Sequence, residues 1–465
     1  MSQQEKATLL RELPSTDELL TAEPFAAIAA SSGHSAAVRI ARSSIGELRQ
    51  IILAGGNRIE RTEFMKTLAQ FASDIFARES SARVNRVINA TGVVIHTNLG
   101  RSVLSENAVE AIRRGSGYCT LEYDRISGTR GKRGAGAEAL LCELTGAEAA
   151  VIVNNCAAAA FLVLRVIARG KEVVISRGEL VEIGGDFRVP DVLVESGAIL
   201  REVGTTNRTK VADYEKAISE NTGLILRVHP SNYRVIGFTE SPDNRELAKL
   251  ARDRNVPFVE DAGSGALVDL SEFGLNEPTI STSITDGVDV ATFSGDKLLG
   301  GVQAGFIVGR RDLVESIRRH PLYRALRLDK LAYSAIEATL LAYARETHLE
   351  EIPTLRMLSL DAETIRLRDE ELLKIGGGNL QLEILEGESV IGGGAAPDVK
   401  PKTWLISVSV SGRSATEVDQ FMRAREIPVI GRIADDRYLL DLRTVSRVEE
   451  TEVSAALKVL ADHEF

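Results

Sequence analysis

From about residue 90 the chain alternates short apolar strands with helices, and this alternation restricts its fold more than any other feature. Candidate strands cover Ala149 to Val153, Glu172 to Ile175, Leu224 to Val228, Pro257 to Val259 and Val288 to Phe293. Ser105 caps a helix ending near Gly115, a second helix passes through Glu138 to Leu144 and stops at Gly146, and a third covers Ala157 to Ala168. Alternation of this length predicts an α/β fold, a mainly parallel sheet with helices on both faces. Helical signals dominate from Leu331 to about Lys374. After the glycines of Gly376 to Gly378 and Gly392 to Gly394, strands return at Trp404 to Val410 and Tyr438 to Leu442, which predicts a smaller α+β domain.

The first eighty residues read as separate and helical. Ser15 with Glu18 spells a capping box before Leu19 and Leu20, and Ser44 with Glu47 spells another, opening a helix that Gly55 and Gly56 stop. A third helix is expected from about Thr62 to Phe76, with Phe64, Leu68, Phe71 and Ile75 at helical spacing. Across this region Arg39, Arg42, Arg49, Arg58, Arg61 and Lys66 outnumber Glu47, Glu60 and Glu63; taken alone, that is a solvated helical face. A chain of 465 residues exceeds one core. Three domains are expected: 1–80 helical, 81–335 α/β and 336–465 α+β.

The formal charge of −10 argues against indiscriminate nucleic-acid binding, so any such surface must be a local concentration of basic residues. Met1 to Lys6 has no basic region leading into an apolar stretch, and no apolar run approaches the roughly 20 residues of a membrane helix. Cys119, Cys142 and Cys156 show neither pairing nor metal-ligand spacing. A soluble, cytoplasmic protein is expected.

In open α/β sheets ligands bind beyond the carboxyl ends of the strands, and three strand ends carry chemistry. Val153-Asn154-Asn155-Cys156 runs into the small residues Ala157 to Ala160, and a helix start there offers amides and a positive dipole end to a phosphate. Many strand–helix junctions look alike, so alone this is weak. Asp261 follows an apolar strand and precedes Ala262-Gly263-Ser264-Gly265; a turn cap is its commoner role. Lys297, in Ser294-Gly295-Asp296-Lys297-Leu298-Leu299-Gly300-Gly301, follows a buried strand, and desolvation favours the neutral amine a Schiff base requires. Taken singly, a surface lysine is as common. In this order on separate strand ends, however, the three form the layout of fold-type-I pyridoxal-phosphate enzymes. The helix start (Asn154, Asn155, Cys156, Ala157) would hold the phosphate, Asp261 the protonated pyridine nitrogen and Lys297 the aldehyde. Gly128 to Arg133 has the wrong glycine spacing for a phosphate-binding P-loop, no Gly-x-Gly-x-x-Gly opens a helix, and the six histidines show no metal-ligand spacing. No metal is expected.

Three stretches strongly resemble the bacterial selenocysteine synthase family, the L-seryl-tRNA(Sec) selenium transferases: Arg86 to Arg101, Leu140 to Glu148 and Ser176 to Gly185. Glu202 to Thr209, the Lys297 segment, Arg324 to Arg327, Pro428 to Ile433, Leu439 to Val445 and Leu13 to Leu20 are similar as well. Departures from the family pattern are Cys156 in place of an asparagine, Pro230 in place of a threonine, Ala262 in place of a leucine, and the segment from Arg125 to Gly136. The resemblance implies a fold-type-I transferase with pyridoxal 5'-phosphate on Lys297. It also implies Asp296 in the active site, and Arg101, Arg324 and Arg327 gathering selenophosphate through their guanidinium forks. The implied reaction converts seryl-tRNA(Sec) to selenocysteinyl-tRNA(Sec) through a dehydroalanyl intermediate. The implied assembly is a ring of dimers, such as a decamer, with tRNA docked on the N-terminal domain. Arg443 is a candidate carboxylate clamp, although an ester substrate requires none, and structural pairing is its expected role. Two other readings are a related pyridoxal lyase acting on a small amino acid or phosphorylated sugar acid, and a tRNA-binding scaffold. Relatives of the first kind tend to lack the N-terminal helices, and a scaffold needs neither Lys297 nor Asp261.

Overall fold

The computed structural model describes residues 3–54, 63–81, 83–184, 187–230, 233 and 235–463. They form two compact units, Met1–Arg86 and Val87–Phe465. In the first, α1 (Gln3–Arg11), α2 (Thr16–Leu20), α3 (Phe25–Ser32), α4 (His34–Ala54) and α5 (Phe64–Ser81) share a core of Leu19, Phe25, Ile40, Leu48, Phe64 and Leu68. The box at α2 forms in both directions: Ser15 Oγ accepts the Glu18 N–H, and Glu18 Oε2 accepts the Ser15 N–H at 2.7 Å. The expected box at Ser44 does not form. α4 continues through that position, Ser44 is buried, and its hydroxyl donates to the Ile40 carbonyl at 3.0 Å, which satisfies it inside the helix. The stop at Gly55 and Gly56, like Arg58, Glu60, Arg61 and Thr62, lies outside the described residues. α5 extends to Ser81, past the expected end at Phe76. Arg39 is ion-paired with Glu79, while Arg42, Arg49 and Lys66 are exposed.

The second unit is built on a seven-stranded sheet of β1 (Ala149–Val153), β2 (Glu172–Ser176), β3 (Ile199–Val203), β4 (Thr222–Val228), β5 (Phe258–Gly263), β6 (Val290–Ser294) and β7 (Gly305–Gly309), in spatial order β1-β7-β6-β5-β4-β2-β3. Every pairing is parallel except the two made by β7, which runs antiparallel between β1 and β6. One face packs on α8 (Cys156–Ile167), with Leu162 and Val163 against Val151, Val173 and Leu226. The other packs on α7 (Ala135–Thr145) and the helix Lys330–Ala344, through Leu141, Ile336 and Leu340. These helices have α6 (Glu106–Gly115) before them in the chain, capped by Ser105 as expected.

Two strands were not legible beforehand. β3 carries Arg201 and Glu202 and sits half-exposed at the sheet edge, so it lacks an apolar run. β7 is five residues bounded by glycines, indistinguishable from the glycine loop before it. β5 also runs past Val259, which puts Asp261 inside a strand rather than in a turn cap. The region from Leu331 to Lys374 divides into four helices, Lys330–Ala344, His348–Glu351, Pro353–Ser359 and Ala362–Leu373.

After them comes an antiparallel sheet of β8 (Leu380–Glu388), β9 (Lys402–Val410), β10 (Arg432–Ala434) and β11 (Arg437–Leu440), in order β8-β9-β11-β10. It packs against Ile365, Val418, Met422, Leu457 and Leu460 of three helices. β11 ends at Leu440, earlier than expected, because Asp441 caps a 3-10 turn, Leu442–Thr444.

Beneath this layer Asp369 is fully buried with no hydrogen-bond partner on either oxygen. Burial, with Asp441 adding repulsion and Arg368 opposing, pushes its carboxyl up to about 8. A folded-state value above the unfolded one means that this group's contribution to stability is full below about pH 4 and is lost as pH rises through about 8. Asp369→Asn is therefore expected to flatten that slope and to raise stability near pH 8 by about 1–3 kcal/mol. Urea unfolding of both proteins across the window measures it.

Candidate active site

The C-terminal ends of the parallel strands converge on one edge, and each expected site residue can be located there. At the end of β1, Asn155 adopts extended backbone and caps α8, its Oδ1 accepting the Ala158 N–H at 2.8 Å. The amides of Cys156 and Ala157 belong to the first turn, where the helix provides no acceptor and its dipole is positive. Gly305 of β7 makes this approach possible. A Cβ there would sit 2.0 Å from the Asn155 carbonyl oxygen and 2.9 Å from the Cys156 nitrogen.

Asp261 faces the same junction from β5. Its Oδ1 accepts from Cys156 Sγ at 3.3 Å and from the Gly263 N–H at 3.2 Å. Burial raises its carboxyl above the ordinary range, opposed by Cys156 and by the charge of Lys297. Burial likewise pushes the Cys156 thiol up, with Asp261 adding to the effect. A desolvated carboxylate at the sheet edge suits a cationic ring nitrogen, and the amides opposite suit a phosphate. The residues present thus fit pyridoxal phosphate.

Lys297 lies three residues beyond β6 and is 7% exposed. Its loop is pinned on both sides: Gly300 N–H donates to the Lys297 carbonyl at 2.9 Å, and Leu298 N–H donates to the Ser264 carbonyl at 3.1 Å. Asp296, also buried, accepts from Arg101 Nη1 at 2.8 Å and from Ser294 Oγ at 2.6 Å. Arg101 holds a left-handed backbone (φ 66°) and lines, with Ser102, Asp296 and Gln303, a cavity of about 430 Å³. Ser102 Oγ bonds the carbonyls of Asp296 (2.8 Å) and Lys297 (2.7 Å). No local signal marked Ser102 or Ser294, because both act across the fold or along a bend that sequence spacing does not encode.

Arg324 and Arg327 arrive from the opposite side of β7. The Asn154 N–H donates to the Leu326 carbonyl at 2.9 Å, and Arg327 bridges Val153, so both sit by the end of β1. Since Gly305 pairs with both Val153 and Ser294, the ends of β1 and β6 lie two strand spacings apart, roughly 10 Å. The structure thus joins Arg101 to Asp296 directly and sets the other two arginines across the start of β7.

A second cavity of about 860 Å³ opens at the ends of β2 and β4, lined by Glu179, Thr206, Arg227, His229, Tyr233 and Glu277 among others. Here His229 Nε2 donates to Glu277 Oε2 at 2.9 Å, and Ser264 Oγ donates to the same oxygen at 2.9 Å. Burial alone would raise the Glu277 carboxyl, but His229, Ser264 and the charge of Lys297 hold it below the ordinary range. Sequence reasoning missed this pair, whose members lie far apart in the chain. Two features already set aside from the sequence lie elsewhere. Gly128 to Arg133 is part of a small hairpin, Tyr123–Asp124 with Thr129–Arg130, that leads into α7. Arg443 is 2% exposed and structural. It donates to the carbonyls of Met357 (2.8 Å), Leu360 (2.7 Å) and Lys402 (2.7 Å) and to Ser389 Oγ (3.0 Å).

A sheet of this order, with helix start, carboxylate and lysine on its carboxyl edge, has the fold of the large domain of fold-type-I pyridoxal-phosphate-dependent transferases. A solved structure of D-glucosaminate-6-phosphate ammonia-lyase shares the fold, with a TM-score of 0.56 at 22% identity over 84% of this chain and 98% of that one. Within that class, the family model for L-seryl-tRNA selenium transferase matches residues 87–446, and that for the selenocysteine synthase N terminal matches residues 10–49. The L-seryl-tRNA(Sec) selenium transferase of Geotalea daltonii is 46% identical, over 97% of this chain and 99% of its own. That of Geobacter sulfurreducens is 45% identical, over 98% and 100%. The chain belongs to the L-seryl-tRNA selenium transferase family.

Gly305→Ala is expected to push the start of α8 out of place. Its pyridoxal-phosphate dissociation constant, measured by titration, should rise by about tenfold or more, the equivalent of one charge-assisted hydrogen bond to the phosphate.

Proposed function

We propose that this protein converts serine esterified to tRNA(Sec) into selenocysteine, using pyridoxal phosphate as cofactor and selenophosphate as selenium donor. One observation carries this reading: a buried lysine and a buried carboxylate within electrostatic reach of each other at a strand edge, in a chain about 45% identical to transferases of that name. When bound, the cofactor supplies an electron sink that makes the Cα–H of an attached amino acid acidic.

The residues divide the remaining work. Lys297 would hold the cofactor's aldehyde carbon, and its Nζ would take the Cα proton of the seryl group. Asp261 keeps the ring nitrogen protonated from its buried position. The amides of Cys156 and Ala157, with Asn154 and Asn155 shaping the turn, hold the phosphate. Arg101, oriented by Asp296, gathers selenophosphate together with Arg324 and Arg327, since guanidinium forks match phosphate oxygens. Arg443 is already bonded to three carbonyls, so it is not available to clamp a free carboxylate, which agrees with an ester substrate.

The N-terminal helices, residues 1–80, are assigned to tRNA docking, with 81–335 as the catalytic domain and 336–465 as the C-terminal one. We assign the enzyme to the cytoplasm as a homo-oligomer, a ring of dimers. No helix among the described residues is long and apolar enough to cross a membrane.

Lys297→Ala is expected to lose the visible absorbance of the bound cofactor and to slow selenocysteinyl-tRNA formation by about a thousandfold or more. Offered selenophosphate with seryl-tRNA(Sec), ordinary seryl-tRNA or free serine, the wild type should turn over the first; turnover of free serine alone defeats the proposal. Arg101→Lys keeps the charge but loses the fork, and should raise KM for selenophosphate roughly tenfold or more in steady-state assays.

A further inference from the structure

Elimination from a seryl group needs more than a base at Cα, because hydroxide is a poor leaving group and departs far faster as water. Lys297 accounts for the Cα proton; none of the residues assigned so far supplies one to the oxygen on Cβ. The cavity at the ends of β2 and β4 contains a group built for that task. His229 follows β4, and its backbone N–H donates to the Asp261 carbonyl at 2.9 Å, so it stands at the strand end adjoining the cofactor carboxylate. Its side chain is partly open to the cavity (20% exposed), whereas Glu277 behind it is 9% exposed.

The hydrogen bond fixes the tautomer. Nε2–H points at Glu277 Oε2, leaving Nδ1 as the atom that exchanges protons with a ligand. A carboxylate behind one imidazole nitrogen orients the ring and stabilises the imidazolium formed when the other nitrogen is protonated. Glu277 is itself tied to the lysine loop. Its Oε2 also accepts from Ser264 Oγ, and the Ser264 carbonyl accepts from Leu298, the residue after Lys297. The charged and titratable groups that share the cavity with His229 are Glu277, Glu179, Arg227, Tyr233, Arg208, Glu240 and Asp398, with Lys297 acting through Glu277. Glu179 is the competing acid. It is more enclosed, however, and its Oε2 is already occupied by the Val228 N–H at 3.1 Å.

We propose that His229, held by Glu277, is the acid that protonates the departing oxygen of the seryl group; this rests on the function proposed above. Lys297 first takes the Cα proton; the C–H electron pair, delocalised in the meantime, then becomes the Cα–Cβ double bond while the Cβ–O pair leaves with the oxygen. The Nδ1 proton of His229 goes to that oxygen, and water departs. His229 is left neutral and regains its proton from solvent through the cavity. Glu277 is the positioning residue of the pair.

The test uses cofactor-loaded enzyme with seryl-tRNA(Sec), measuring single-turnover elimination across pH and, in D₂O, solvent exchange of the Cα proton. His229→Gln keeps a donor for Glu277. It should slow elimination by about 100-fold or more, abolish the alkaline decline of the wild-type rate, and leave Cα exchange, cofactor absorbance and KM for the tRNA within about threefold. Glu179→Gln should retain the alkaline decline. Elimination by His229→Gln within threefold of wild type, an equal loss of exchange and elimination, or a decline removed by Glu179→Gln instead would overturn the assignment. A wild type inert on seryl-tRNA(Sec) would defeat the functional reading instead, and is thereby distinguished.

Discussion

Three ionisable side chains, Asp261, Asp296 and Lys297, are each less than a tenth exposed at a single sheet edge, and the rest of the site is arranged around keeping them there. An unpaired buried charge costs several kcal/mol, so each is bound into its surroundings. Asp296 is held by Arg101 and Ser294, and Asp261 by Cys156 and the Gly263 amide. Lys297 sits on a loop bonded both to itself and to the strand beside it. The antiparallel β7 is the structural counterpart of this arrangement. By entering the sheet between β1 and β6 it keeps the helix start and the lysine apart by about the width of a ligand.

The arginines show how charge identity and function separate. Arg101 and Arg443 both lie near buried aspartates, yet Arg101 is a third exposed and opens on a cavity, while Arg443 spends its donors on backbone carbonyls beneath the C-terminal sheet. One can meet an anion and the other cannot. The same contrast separates Asp261, aimed at the site, from Asp369, buried without a partner in a helix.

Much of the architecture was legible beforehand because apolar runs bounded by helix caps survive folding unchanged: β1, β2, β4 and α8 fall within a residue or two of expectation. The misses have physical causes. β7 is bounded by glycines and β3 carries charges within it, and each is a strand only because neighbours supply its hydrogen bonds. Ser44 carries the local signature of a helix start, but burial against the N-terminal core favours one continuous helix.

The order of helix start, carboxylate and lysine along the chain, together with the motifs shared with the family, was determined by the sequence alone, since short-range pattern and residue identity suffice for both. The Arg101–Asp296 pair, the Ser102 clasp on the lysine loop and the His229–Glu277 pair were decided only by the tertiary structure. Each joins residues on different elements, and which of many possible partners meet depends on strand order and register, quantities that no local stretch of residues contains.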